Sequence, residues 1–273
     1  MPVSSRVLFP LMLLPVVALP LLAAEGLQVR PSMRPAADRA IVADPTRNNI
    51  IPDLYDGGGW STTFVFTNMD SRPIALRLQF TADDGSDLQI PVVGIGLTSN
   101  IAVPIQVGGT ASLTTADVDN FRTSGYAFVA AANASDRFAG YAVVRQQSSG
   151  WPDLEFTLPL APIDENQFVL PFDNTKGFTT FVSLVNSSTQ NPANVNVTVQ
   201  DQNGNVLTTD QFQIGPLGRL KFNVGDRYPQ TGNSVASIYF NAPGSQFLTG
   251  LGLRSGPNGS LTAITPFSLA VTR

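Results

Sequence analysis

The sequence predicts an all-β chain of two tandem antiparallel β-sandwich domains, and three observations predict it. First, short runs alternate apolar and polar residues. "PIALRLQF" (73–80) sets Ile74, Leu76, Leu78 and Phe80 on one face, and "NVNVTVQ" (194–200) does the same with Val195, Val197 and Val199; a period of two is that of a strand with one buried face. Second, Asp84-Gly85 and Asn203-Gly204 punctuate these runs, and such pairs suit two-residue hairpin turns that need positive φ at both central positions. Third, "GWSTTFVFTN" (59–68) returns as "GFTTFVSLVN" (177–186), and a phrase that recurs at one place in an ordered series signals a recurring fold.

The elements follow in order. Arg6 precedes an uncharged stretch, "VLFPLMLLPVVALPLLAA" (7–24). A basic start, an apolar centre and small residues at Ala23 and Ala24 predict a signal peptide over 1–24. Pro10, Pro15 and Pro20 argue against a membrane-spanning helix there, since each removes a helix hydrogen bond. Cleavage after Ala24 would remove Arg6 and take the formal charge from −4 to −5. Residues 25–47, with three prolines and four arginines, read as a flexible leader. The first sandwich is expected over 48–161 and the second over 166–273, joined by "APIDENQ" (161–167) and packed end to end.

Matched landmarks keep their order across the two halves: Pro52 with Pro171, Asn68 with Asn186, Gly140 with Gly250, Arg145 near Arg254. The first half is longer around 91–107, "PVVGIGLTSNIAVPIQV", which predicts an added strand or an extended connection. Each half is expected to close its own hydrophobic interior.

The pattern "GGGW", "DDGS", "RQ", "PDLE" and "LPFDNT" within 48–273 resembles that of secreted bacterial proteins with tandem immunoglobulin-like β-sandwich repeats, proteins of no established activity. The resemblance implies export and an immunoglobulin-like fold. It carries no catalytic residue onto this chain.

Composition narrows the chemistry. The chain has no histidine and no cysteine, so a Ser-His-Asp triad, a Cys-His pair, a disulfide framework and His or Cys metal ligation are impossible within it. Only two lysines and 14 arginines face 20 acidic residues; nucleic acid is a poor partner for that balance. A Ser-Lys mechanism would need Lys176 or Lys221; Lys176 reads as a turn residue and Lys221, in "LGRLKFNV", as a solvent-facing strand residue. The three glutamates, Glu25, Glu155 and Glu165, offer no clear carboxylate pair for hydrolysis. Asp83, Asp84 and Asp87 could be oxygen ligands for calcium, but the hairpin turn explains them and no metal or cofactor is expected. Arg145 and Arg254 are expected to bond loop carbonyls.

Aromatic rings are the binding candidates. Trp60 follows three glycines, Tyr55 is near it, and Trp151 sits in "SSGWPDL". Each could stack on a sugar or a partner side chain, or pack into the core. The expected function is a non-enzymatic structural, adhesion or protein-binding module, secreted or periplasmic, with a carbohydrate-binding protein as the alternative and a carboxylate-dependent hydrolase the least favoured. Its partner would be a protein or glycan of the cell envelope or exterior, with no stable membrane anchor after signal cleavage.

Overall fold

A computed structural model describes residues 48–147, 153–162, 166–245 and 247–269. The expected signal peptide and leader, Trp151, Glu25 and Glu165 lie outside the described residues. The chain is almost entirely strand, arranged as antiparallel sheets.

The first half runs β1 (Asn48–Asp56), β2 (Trp60–Asn68), β3 (Ile74–Thr81), β4 (Ile90–Val92), β5 (Gly96–Thr98), β6 (Asn100–Ile105), β7 (Thr110–Thr114), β8 (Thr123–Ala131), β9 (Phe138–Gln146), β10 (Leu154–Pro159) and β11 (Ala161–Pro162). The second runs β12 (Gln167–Asp173), β13 (Thr179–Asn186), β14 (Ala193–Asp201), β15 (Val206–Ile214), β16 (Arg219–Asn223), α1 (Val224–Arg227), β17 (Val235–Asn241), β18 (Leu248–Ser255), β19 (Leu261–Ile264) and β20 (Phe267–Ser268). In the first half the sheets are ordered β11-β1-β8-β3-β6 and β10-β9-β2-β7; in the second, β20-β12-β17-β14-β15 and β19-β18-β13-β16. The two orders correspond strand for strand. The β4–β5 hairpin is the extra piece of the first half, inside the stretch where the sequence is longer.

Alternation is what seats these strands. β2 alternates buried and half-buried along its whole length, with Phe64 and Phe66 facing in, and β14 buries Val195, Val197 and Val199 while exposing Asn194 and Asn196. Strand glycines make room for rings: a Cβ on Gly250 would lie 2.5 Å from the Phe168 ring, so only glycine fits opposite that phenylalanine.

The two halves do not pack end to end. Sheet β16-β13-β18-β19 has an inner face on its own core and an outer face on the first half. In register, Lys221, Ser183 and Leu251 form one row of that outer face, and Phe181, Leu253 and Ala263 another. Leu251 and Leu253 belong to the same buried cluster as Phe64, Phe80 and Leu158, with Phe181, Leu261 and Ala263 packed against it. The first half therefore does not close its own interior. The second core is built from its own strands, around Phe168, Val182, Val197 and Phe240. A third small cluster joins Ile50 and Tyr126 to Val185.

Candidate functional site

The densest cluster of ionisable groups lies where β1 meets β16. Period two in "GRLKF" puts Arg219 and Lys221 on the outer face of their sheet and turns Leu220 and Phe222 inward. The alternation read from sequence is right in its parity. The expectation that Lys221 faces solvent is not, because the first half covers that face.

Arg219 is the centre of the cluster, its side chain fully buried. Nη1 donates to Asp53 Oδ1 at 2.6 Å and to the Gly125 carbonyl. Nε donates to Asp83 Oδ1 at 2.8 Å, and Nη2 to Ser124 Oγ at 3.2 Å. Lys221 Nζ donates to Asp53 Oδ2 at 2.8 Å and to the Tyr55 hydroxyl at 2.5 Å; that hydroxyl itself donates to Asp53 Oδ2 at 2.8 Å. The backbone joins in. Arg219 N donates to Asp83 O, Ser183 Oγ to Pro52 O, and Tyr126 OH to Leu217 O at 2.7 Å. Leu217 holds φ at +53°, a left-handed conformation that a leucine keeps only where its surroundings over-determine it.

Charge follows burial and pairing. Burial alone would raise the Asp53 carboxyl, but Lys221 and Arg219 outweigh it and hold it below the usual carboxylate value. Burial pushes the Lys221 amine down, and the pull of Asp53 only partly restores it. Burial and then the Asp53 charge drive the Tyr55 phenol well above its ordinary value. A lysine lowered beside a tyrosine suits a general base in the open, but these groups spend their hydrogen bonds on the opposing half. The arrangement is a joint: two cations, two carboxylates and four carbonyls matched across a contact.

Two of the three aromatic candidates, Tyr55 and Trp60, lie at this joint. Tyr55 and Trp60 are 7% and 6% exposed, their rings 5.0 Å apart. Lys221 lies 4.6 Å over the Tyr55 ring, and Arg122 lies 5.6 Å from Tyr55 and 5.7 Å from Trp60. Neither ring is the exposed loop platform that the sequence allowed. Trp60 opens strand β2, where alternation turns it inward, and Tyr55 is held by its hydroxyl bonds.

Other candidates also find partners. Arg145 and Arg254 bond carboxylates, Asp153 and Asp173 respectively, instead of carbonyls; Arg254 also stacks on Phe178. Thr175 first, then Arg254, lower the Asp173 carboxyl to about 2. Asp83 serves the joint, Asp84 caps Ser86, and Asp87 accepts from Gln79. Among the described residues no cluster of three or more Asp or Glu side chains could hold a metal ion. Lys176 sits in a turn at φ +53°. Glu155 is exposed on β10, directly opposite Arg145.

Sequence reasoning missed Asp53 and Arg219. The available signal was an Arg-x-Lys pair on one face of a strand, in a chain with so few cations. No family model matches this chain, and no curated protein matches it.

Proposed function

We propose that this chain is an exported, non-enzymatic module of two immunoglobulin-like repeats, acting as a structural, adhesion or protein-binding element. The shared strand order of the two halves supports the repeat, and residues 1–24 support export. Among the described residues no helix is long and apolar enough to cross a membrane.

One observation carries the functional reading: a cluster of buried ionisable groups, Asp53, Arg219 and Lys221, is consumed in joining the two halves. Domains linked by a short connection and a small polar contact move relative to each other. A buried Arg219 that bonds Asp53, Asp83, Ser124 and a backbone carbonyl fixes one sandwich against the other. A spacer or adhesion element needs fixed geometry of that kind between its outward surfaces. Carbohydrate binding through Tyr55 and Trp60 is disfavoured by their burial.

Two measurements test the reading together. Mass spectrometry of the protein recovered from cell fractions should find Glu25 as the first residue, in the periplasm or the medium. Incubation with envelope polymers should release no product. An uncleaved chain in the cytoplasm would overturn export, and polymer turnover abolished by Glu155→Gln would overturn the non-enzymatic reading.

A further inference from the structure

The sheet β15-β14-β17-β12-β20 has an outer face of exposed and half-buried side chains. Along β14 the outward residues are Asn194, Asn196, Thr198 and Gln200. Cross-strand pairing lays out one row spanning five strands: Thr209, Thr198, Tyr239, Val169 and Phe267. Tyr239 is half-buried, and Phe267 is 62% exposed.

Beside that row the amides are already ordered. Gln211 Nε2 donates to Asn196 Oδ1 at 2.9 Å, and Gln213 Nε2 to Asn194 Oδ1 at 2.8 Å. Each pair leaves amide N–H donors and the glutamine Oε1 acceptor with no protein partner among the described residues. The motif repeats two residues along the strand, or roughly 7 Å. A shallow depression of about 520 Å³ lies here, lined by Asn196, Val197, Thr198, Thr209, Asp210 and Gln211. Asp210, its one ionisable residue, is engaged by Arg227 and Tyr228.

The corresponding face of the first half is a docking surface in use. There the row is Gln79, Phe128 and Ile50, and Ile50 and Tyr126 are buried against Val185 of the second half. In the second half, register puts Thr198, Tyr239 and Val169 at those places, and Ser237 where Tyr126 stands. The face keeps one ring and exchanges apolar contact for hydroxyls and amides. That exchange weakens the case for a protein occupant and strengthens it for a hydroxylated one. A sugar hydroxyl both donates and accepts, so it pairs with an adjacent amide donor and acceptor; an aromatic ring takes the apolar face of the pyranose.

We propose that this face binds a neutral polysaccharide chain across β14 and β15, with Asn196 and Gln211 as hydrogen-bonding residues and Tyr239 as the stacking residue. The proposal deepens the adhesion reading and rests on it. The test is affinity electrophoresis of the purified protein in gels containing dextran, pullulan, galactomannan or hydroxyethyl cellulose, with dextran sulfate as the charged contrast. At least one neutral polymer should retard the protein. Asn196→Ala/Gln211→Ala should weaken that retardation by about tenfold or more. Tyr239→Ala should weaken it too, while Tyr239→Phe keeps it and Asn203→Ala leaves it unchanged.

Matching melting curves for all variants would exclude unfolding as the cause. Retardation by no neutral polymer, by dextran sulfate alone, or to the same degree in the double variant would overturn the proposal. So would self-association in sedimentation experiments that the double variant abolishes, since the face would then be a contact between copies. None of these outcomes bears on export or on the absence of turnover, so the two readings fail separately.

Discussion

The side-chain amide of Asn68 is 2% exposed, and that of Asn186 is fully buried. Asn68 Nδ2 lies within hydrogen-bond distance of the carbonyls of Arg72, Ile105 and Gln106; Asn186 Nδ2 does the same with Asn191, Ile214 and Gly215. One amide thus ties two loops together in each half. Replacing either by alanine leaves buried carbonyls unpaired, and each substitution should cost about 3 kcal/mol in urea unfolding. Arg219→Ala should cost about 3–5 kcal/mol, because it strands part of the Asp53 and Asp83 charge in the contact. Arg219→Lys should recover only part of this, since a single ammonium cannot reach both carboxylates as the guanidinium fork does; a double-mutant cycle with Asp83→Ala would measure the coupling. The asparagines were visible in the sequence as the closing residue of a repeated phrase. The charged joint was not, because a one-face alternation says which residues share a side and nothing of what lies against it.

Hairpins show how far local sequence reaches. Asp84-Gly85 and Asn203-Gly204 both sit in tight turns, but not the two-residue turns expected: only the glycines hold positive φ, both at +83°. Ala82 N bonds Ser86 O as Asp201 N bonds Asn205 O, closing three-residue loops in which the glycine takes the left-handed place. Their surroundings differ. A Cβ on Gly85 would lie 2.7 Å from the Pro216 carbonyl oxygen, whereas one on Gly204 would meet nothing within 4 Å. Gly204→Ala should cost about 1 kcal/mol, the strain of a left-handed residue alone. Gly85→Ala should cost clearly more, because the turn must also retreat from the second half. Comparing the two urea midpoints checks this directly. The place of each turn was legible in two residues; its type was not. That the first hairpin is also a contact surface was not, since its partner lies about 130 positions away in sequence.

At the scale of the molecule, acid should weaken the structure. Asp53, Asp173 and Asp210 are held below the usual carboxylate value, Asp173 at about 2. A carboxyl with a lowered folded pKa binds fewer protons folded than unfolded, so its stabilisation is present above the unfolded value and lost as pH falls through the folded one. Stability should decline between about pH 4 and pH 2, partly offset by Asp56, which burial raises. Urea midpoints measured down that range should fall, and Asp173→Asn should flatten the slope. The all-β class was legible from strand period and turn chemistry. The flank-to-flank contact was not, because Phe181, Leu251 and Leu253 read as ordinary strand residues whichever side they serve. That contact bears on biogenesis. The earliest strands to be synthesised await Leu251, Leu253, Leu261 and Ala263, made some 200 residues later, before their hydrophobic flank is sealed. Until then a nascent chain exposes greasy surface, and that interval is when holdase assistance would matter most.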